Sequence, residues 1–573
     1  MASILAFLIA FAFLLPYSSL TRAAPVAQCR SIPGDTAWPS SADWATLNNT
    51  VDGRLIATIP LAAPCHKALF NLPNLAFDLA RCEALRTVWY YPETHLQSAS
   101  SPMAYPFSNN SCNPWLGPDT PCTLGFHPVF SINATKSAHY RAAILFATKH
   151  NIRLVIRNTG HDYLGKSTGA HALEIWTHSV KGIKLFTQYT GPTFSGPAIK
   201  IGAGVLAGDA YTFASEHGLV IVGGNCPTVA LAGGYTQGAG HGPFASRFGL
   251  AADQVLEWEV VTATGELLTA NAQNNSDLYW ALRGGGGGTF GVVVAMTVKA
   301  FPDTFTSTAT MTVLKNETNA DALYEGIGTF LQNLLSLVNS GATAVWVAAP
   351  FGFMLTPAMA PGIHQSELDE ILKPTLDKFH QLGLETSYSS REHTTFLTAY
   401  NSLTESWNVS NYNVGGRLIP RELVANNTAA ITRVIRNISE RTLMSGVSYN
   451  VSHSVASPDD VAVNPYFRKT LFSLTVGTPI NYTDWSATTA AQNEITHDFL
   501  PQVEKLTPNG GAYLNEGDFQ APDFRTLFYG AHYDKLLKIK DKYDPQGIFY
   551  AKTAVGSDRW EQDANGRLCR TKG

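Results

Sequence analysis

The chain has 573 residues, of which 45% are hydrophobic and 15% charged, and its formal net charge is −4. This length exceeds one hydrophobic core and predicts two or three domains. A slightly acidic chain without long basic runs argues against nucleic acid as a partner. No stretch after the N-terminus resembles a membrane span, so we expect a mature protein that does not enter a membrane.

The N-terminus reads as a secretory signal peptide over residues 1–24. Residues 4–15 form an apolar run that is too short to span a bilayer comfortably, and Ala23 and Ala24 suit cleavage, although no Lys or Arg precedes the run. Acceptor sequences for N-glycosylation begin at Asn48, Asn109, Asn133, Asn274, Asn316, Asn408, Asn426, Asn437, Asn450 and Asn481. Both features predict a secreted, N-glycosylated protein.

The chain contains seven cysteines, and an odd number in an oxidising compartment leaves one unpaired. Five lie within residues 29–122 and one, Cys569, lies near the C-terminus. Cys226 alone lies mid-chain, inside a glycine-rich loop. We therefore expect up to three disulfides among the others and a separate role for Cys226. The sequence leaves the pairing open.

Taken in chain order, the pattern predicts an N-terminal disulfide-bearing segment and then a cofactor domain. Residues 25–123 are loop-rich, and residues 124–303 alternate helices with strands, which indicates an α+β or α/β nucleotide-cofactor domain. The predicted helices span residues 140–150, 207–217 and 277–282, the last capped by Ser276. The predicted strands span residues 153–157, 172–176, 197–201, 219–222, 254–262, 267–270 and 292–298.

Residues 304–504 change character and predict a substrate-binding domain with an antiparallel sheet and helices. Helices are expected over residues 320–338 and 365–382, and strands over 342–349 and 470–476. Glycine and aromatic residues become frequent again in residues 505–573, where a helix is expected over 529–543.

The loop after the strand at residues 153–157 admits three interpretations. Its glycines, with Lys166 and Ser167, match the phosphate-loop pattern G-x-x-x-x-G-K-[ST] and, one register later, the hydrolase pattern G-x-S-x-G with Ser167 as nucleophile. Both patterns require a helix directly afterwards, whereas a β-rich segment follows here. A secreted serine hydrolase using Ser167 remains the alternative from another class. The third interpretation is flavin attachment at His161.

His161 and Cys226 favour the flavin interpretation when they are considered together. Alone, each would more often be a structural residue. Both lie on glycine-rich loops, and glycine allows the backbone to approach a flat cofactor and its diphosphate. Two nucleophilic side chains in such loops are what a covalently tethered cofactor requires.

Four motifs carry a resemblance to a known family. R-N-T-G-H-D-Y-L-G, G-G-N-C-P-T-V, Y-L-N-E-G-D and the tail around Y-D-P-Q-G-I-F-Y-A resemble the berberine-bridge-enzyme-like branch of the vanillyl-alcohol oxidase superfamily. They cover residues 120–310 and 505–555 and are most similar to secreted fungal FAD-linked oxidoreductases, several of which act in specialised metabolism. The resemblance implies an α+β fold: a PCMH-type FAD-binding domain of two α/β subdomains (124–303), a substrate domain (304–504) and a C-terminal segment (505–573) that returns to the FAD domain.

The resemblance also implies site residues. FAD would be bound bicovalently, through its 8α-methyl to His161 and through C6 to Cys226. The remaining expected cofactor-binding residues are Arg157, Asn158, Thr159, Gly160, Gly233, Gly234 and Asn515. Glu516 stands where relatives often have a tyrosine base, so it is either the base or an outward-facing structural residue.

The implied activity is that of an oxidase. Hydride would pass from a substrate C–H bond to flavin N5, and O2 would reoxidise the flavin to give H2O2. Gly224, at a position that gates oxygen in relatives, leaves space for it. The first-choice substrate is an alcohol on a small specialised metabolite, and the second is an oligosaccharide. We expect a monomer and no metal.

Overall fold

The computed structural model describes residues 29–403, 408–452 and 460–571. The predicted signal peptide lies outside the described residues. The elements of the N-terminal segment are α1 (Ser41–Thr50), β1 (Leu55–Ala57), β2 (Ala68–Leu69), β3 (Leu72–Pro73), α2 (Leu79–Val88) and α3 (Pro92–Leu96). Those of residues 124–303 are β4 (Phe130–Asn133), α4 (Ser137–Lys149), β5 (Leu154–Arg157), β6 (Leu173–Trp176), β7 (Ile183–Thr190), β8 (Ser195–Gly202), α5 (Ala207–Ser215), β9 (Leu219–Val220), α6 (Ala245–Phe248), β10 (Val255–Val261), β11 (Leu267–Asn271), α7 (Ser276–Ala281), β12 (Val292–Lys299) and β13 (Phe301–Pro302).

The C-terminal half contains longer elements. Those of residues 304–504 are β14 (Thr306–Leu314), α8 (Ala320–Asn339), β15 (Thr343–Ala349), β16 (Gly352–Pro361), α9 (Gln365–Gln381), β17 (Thr386–His393), α10 (Phe396–Asn401), β18 (Tyr412–Pro420), α11 (Arg421–Ser439), β19 (Leu443–Ser448), β20 (Thr470–Pro479), α12 (Trp485–Glu494) and α13 (Leu500–Glu504). The last residues form α14 (Tyr533–Tyr543), β21 (Trp560–Gln562) and β22 (Leu568–Arg570).

Two sheets build the cofactor half. The first has the order β1-β4-β6-β5, in which β6 pairs in parallel with both β4 and β5. The second is antiparallel, with the order β11-β10-β12-β8-β7. Helix α4 packs on the first sheet through Tyr140, Ala143 and Ile144, which are fully buried. Two α/β subdomains are therefore present, as expected.

A seven-stranded antiparallel sheet forms the third layer, in the order β17-β14-β16-β15-β19-β20-β18. Helices α8, α9 and α11 belong to its core cluster, and α8 buries an apolar stripe against it. Because side chains alternate along a strand, Trp346 and Leu474 lie in that core. Their neighbours Val345 and Thr475 face a cavity on the opposite side. The predicted antiparallel sheet with helices is confirmed.

Three disulfides use six cysteines, as predicted. The pairs are Cys29–Cys569, Cys65–Cys82 and Cys112–Cys122, and Cys226 is the free thiol. The first pair joins the two ends of the described chain. In residues 29–403, 408–452 and 460–571, no helix is long and apolar enough to cross a membrane.

The structure corrects several local predictions. The strand predicted over residues 219–222 is limited to β9, and strand β7 was not predicted. Asn275 rather than Ser276 is the N-cap of α7, and no side chain completes that cap. The helix predicted from residue 529 begins at Tyr533, because Gly530 adopts φ +57° and separates it from the preceding turn.

Candidate active site

The loop that follows β5 holds His161 through its own side chains. Asp162 Oδ1 accepts a hydrogen bond from Leu164 N (3.0 Å), and Oδ2 accepts one from Ser167 N (2.7 Å). These bonds fold the loop into local turns, and the next regular element is strand β6. The helix that a phosphate loop or a hydrolase elbow requires is absent. Both interpretations, including Ser167 as a nucleophile, are therefore wrong.

The second loop holds Cys226 by its backbone. Tyr211 Oη donates to Gly224 O and Tyr400 Oη donates to Asn225 O, each at 2.9 Å. Both tyrosines are buried, so they fix the loop against the core of the cofactor half and against α10. The thiol follows directly and remains partly accessible.

His161 and Cys226 converge on the hydroxyl group of Thr228. His161 Nε2 lies 2.8 Å from Thr228 Oγ1, and Cys226 Sγ lies 3.3 Å from the same oxygen. The structure thus brings together two residues that are far apart in sequence. Thr228, which connects them, lies within the G-G-N-C-P-T-V motif, and the sequence did not single it out.

Both residues face one cavity of about 410 Å³, which lies between the cofactor half, the seven-stranded sheet and the C-terminal segment. The cavity is lined by the two loops, by the exposed face of the seven-stranded sheet at Val345 and Thr475, and by the C-terminal segment at Glu516. Its walls are mixed: apolar side chains of the sheet face polar and glycine backbone of the loops. This combination suits an organic ligand with a few oriented polar groups.

Glycines let three backbone segments approach one another at one end of this cavity. A Cβ at Gly233 would lie 2.9 Å from Asn158 Nδ2, and one at Gly287 would lie 2.8 Å from the Cα of Gly234. Asn515 Nδ2 donates to Gly234 O at 2.9 Å and so joins the C-terminal segment to the loop. Backbone this close, beside two nucleophiles and a large cavity, fits FAD and its diphosphate.

Thr159 and Gly160 line the same cavity, whereas Arg157 lies behind its wall. The Arg157 side chain is fully buried and donates to His95 O at 3.0 Å.

Burial, with His95 and Arg157 nearby, lowers the pKa of His161 to about 3. His161 is therefore a neutral imidazole with a free nitrogen lone pair, the form that can act as a nucleophile. Burial raises the pKa of the Cys226 thiol.

Glu516 lines the cavity beside a histidine that sequence reasoning missed. Its Oε1 lies 3.2 Å from His241 Nε2, and the two side chains are 26% and 7% exposed. His241 lies in the run G-A-G-H-G of the glycine-rich loop, which was interpreted only for its glycines. Tyr163 also lines the cavity, and burial raises its pKa, with Cys226 and Glu516 adding to the effect.

Comparison with known proteins agrees with this geometry. Residues 128–271 match the FAD binding domain family, and residues 512–556 match the berberine and berberine-like family. The FAD-linked oxidoreductase sor8 of Hypocrea jecorina is 42% identical, with 99% of this chain and 98% of that protein covered. The bifunctional decalin synthase calF of Penicillium decumbens is 40% identical, with 95% and 96% covered.

Among solved structures, the VAO-type flavoprotein MtVAO615 from Myceliophthora thermophila C1 superposes with a TM-score of 0.90. It is 38% identical, and the match covers 95% of this chain and 100% of that one. The chain therefore belongs to the VAO-type, berberine-bridge-like family of FAD-linked oxidoreductases and is an FAD-dependent enzyme.

Proposed function

We propose that this protein is a secreted flavoprotein oxidase that converts an alcohol of a small organic molecule to a carbonyl compound and produces H2O2. The observation that carries the proposal is the convergence of His161 and Cys226 on Thr228 Oγ1, at 2.8 Å and 3.3 Å. Two nucleophiles at one point of a cofactor cavity support FAD bound bicovalently, through the 8α-methyl at His161 and C6 at Cys226. The three disulfides support an oxidising compartment.

Backbone groups of the two loops would bind FAD, and Glu516 would carry out the proton transfer. The backbone of Asn158, Thr159, Gly160, Gly233 and Gly234 would hold the diphosphate, with Asn515 fixing the Gly234 carbonyl. FAD, when bound, would supply the acceptor for the hydride of the substrate C–H bond, which carries both electrons of the oxidation. Glu516 would accept the hydroxyl proton of the substrate, because its carboxylate lines the cavity and is partly exposed there.

The face of the seven-stranded sheet supports a substrate with an apolar body. Val345, Met359, Val414 and Val447 line the cavity from this side, and the smaller polar part of the same face consists of Ser445 and Thr475. An alcohol of a specialised metabolite fits such a wall better than a polyhydroxylated sugar, whose hydroxyl groups would need polar partners. The similarity to calF, which is named a decalin synthase, supports a substrate with a carbocyclic body. An oligosaccharide is the second candidate.

The experiment is a flavin and peroxide assay on the secreted protein. Expression should give a yellow protein that keeps its colour on acid precipitation, and H2O2 release should be screened with benzylic, allylic and secondary aliphatic alcohols and with oligosaccharides. A colourless protein, or one whose photoreduced flavin stays reduced for minutes in air, would refute the oxidase. Release of peroxide with oligosaccharides alone would move the substrate to the second candidate.

A further inference from the structure

Glu516 and His241 contact each other at the wall of the cavity, and their side chains differ in exposure. The Glu516 side chain is 26% exposed and the His241 side chain 7%, and 3.2 Å separates Glu516 Oε1 from His241 Nε2. Both residues line the cavity, and Glu516 is the more exposed of the two. Neither ring nitrogen of His241 has an aligned hydrogen bond to any residue that the structure describes. The 3.2 Å contact is thus a close approach that a small rotation converts into a hydrogen bond.

Packing keeps the imidazole in this place. Its ring stacks near Tyr449, with centroids 5.5 Å apart, and lies 4.9 Å from the ring of Tyr513. Tyr235 Oη donates to the backbone carbonyl of His241 at 3.0 Å. Burial raises the pKa of all three tyrosines, so they stay neutral, and Glu516 supplies the carboxyl group in contact with His241.

We propose that Glu516 and His241 form one proton-holding pair, which takes the hydroxyl proton of the substrate in the first half of the reaction and returns it to peroxide in the second. This inference rests on the proposed function and deepens it. Glu516 contacts the substrate, and His241 is a positioning residue that orients the carboxylate and shares the proton with it.

The two half-reactions balance in atoms and electrons. In the first, the substrate alcohol loses the proton of its O–H bond to the pair and a hydride of its C–H bond to oxidised FAD, and the C=O bond forms. In the second, O2 takes two electrons and one proton from the reduced flavin and one proton from the pair, which gives H2O2. The pair then has its initial charge again, and no further reductant or oxidant is needed.

The physical basis is the cost of burying an unpartnered imidazole. An unpaired buried polar group destabilises the fold, and a carboxylate 3.2 Å away removes that cost when one proton lies between the two groups. A proton that lies between two groups this close is hydrogen-bonded to both of them. Replacing either Glu516 or His241 should therefore abolish the uptake and return of the proton by the pair.

The second half-reaction tests the pair without knowledge of the organic substrate. Holoenzyme would be photoreduced without oxygen and mixed with O2 in a stopped-flow instrument over a range of pH, for wild type, Glu516→Gln, His241→Gln and the double variant. The matched control is His364→Gln, because His364 and Glu392 form another His–Glu pair, 3.0 Å apart, on the exposed surface. The second readout is the pH dependence of the flavin midpoint potential, measured anaerobically.

We expect each single variant to be reoxidised at least about tenfold more slowly, with a flattened pH dependence of rate and potential. The double variant should be no slower than either single one, and His364→Gln should match wild type. Variants with wild-type profiles, or single effects that multiply in the double variant, would overturn the pair. If His241→Gln does not fold, the profiles of the partly exposed Glu516→Gln decide alone. Wild type without flavin would refute the proposed function and the pair together.

Discussion

His161 and Cys226 approach the same hydroxyl group from two loops, and Thr228 Oγ1 lies 2.8 Å from the histidine nitrogen and 3.3 Å from the thiol sulfur. This relationship gives the proposed bicovalent attachment a geometric basis, since the 8α-methyl group and C6 belong to the same benzenoid ring of the flavin. Thr228 is the residue whose hydroxyl group contacts both side chains.

Replacement of the two nucleophiles should separate the two proposed bonds. His161→Ala and Cys226→Ala should each retain flavin through the other bond, with a changed absorption spectrum, and the double variant should release FAD on acid precipitation. The measurement is the absorbance of the pellet and the supernatant. His217→Gln, at an exposed histidine after α5, is the control. Loss of all covalent flavin in both single variants would contradict two independent bonds.

Thr228→Val should slow covalent attachment without abolishing it. The variant removes one hydroxyl contact, so a two- to tenfold slower incorporation is expected, which corresponds to about 0.5–1.5 kcal/mol for one hydrogen bond. Incorporation is followed in apoprotein mixed with FAD, by acid precipitation at successive times. Thr228→Ser retains the hydroxyl group and should match wild type. Equal rates for valine and serine variants would remove Thr228 from the attachment site.

Glu516→Gln should slow flavin reduction by roughly 100-fold, because a neutral amide cannot accept the proton of the substrate. The measurement is the anaerobic reduction rate with the alcohol that releases most H2O2 in the screen. Glu392→Gln is the control, since that glutamate lies on the surface. An unchanged reduction rate would make Glu516 a structural residue, the other interpretation of its position.

Gly224→Ala should reduce the rate of reoxidation by O2. A Cβ there would lie 3.1 Å from the ring of Tyr235, so the added methyl group would fill the space at a cavity-lining position. We expect a loss of about tenfold, equivalent to about 1.4 kcal/mol of barrier, with an unchanged spectrum of the oxidised flavin. The bimolecular rate constant with O2 is the readout. A variant as fast as wild type would show that oxygen arrives by another route.

Glu174→Gln should become more favourable for stability as the pH rises. Glu174 is fully buried and accepts a hydrogen bond from Ser131 at 3.0 Å, and burial raises its pKa from 4.5 to about 8, against the opposing effect of Arg157. Between these two values the unfolded chain loses a proton that the folded chain retains. Stability therefore falls with rising pH, by at most about 1.4 kcal/mol per pH unit.

The measurement for Glu174→Gln is the Tm of variant and wild type in buffers from about pH 5 to about pH 8. The difference in Tm should move steadily in favour of the variant. Glu385→Gln, at an exposed glutamate, should show no such trend. A Tm difference that stays constant with pH would mean that Glu174 is ionised in the folded protein.

The site shows where sequence reasoning succeeds and where it stops. The missing helix after Ser167 was readable from the sequence, because the segment after the loop is β-rich. His241 was not found, since its only signal is one histidine among glycines. His241 and Glu516 are close because the C-terminal segment packs on the glycine-rich loop: the rings of Tyr513 and His241 lie 4.9 Å apart, and Asn515 donates to the Gly234 carbonyl. Local sequence patterns do not predict a contact between residues that are so far apart in the chain.

The sequence by itself determined the cofactor class, the family, the unpaired Cys226 and the type of the long elements α8, α9, β15 and β20, because these depend on local motifs, composition and periodicity. Helix α11 and strands β14, β16 and β18 were not predicted. The domain boundaries at residues 124, 304 and 505 stay predictions. Only the tertiary structure decided the disulfide pairs, the burial of Arg157 behind the cavity wall and the convergence of His161, Cys226 and Thr228. Distances between residues far apart in the chain are set by packing of three sheets, and packing is a property of the whole fold.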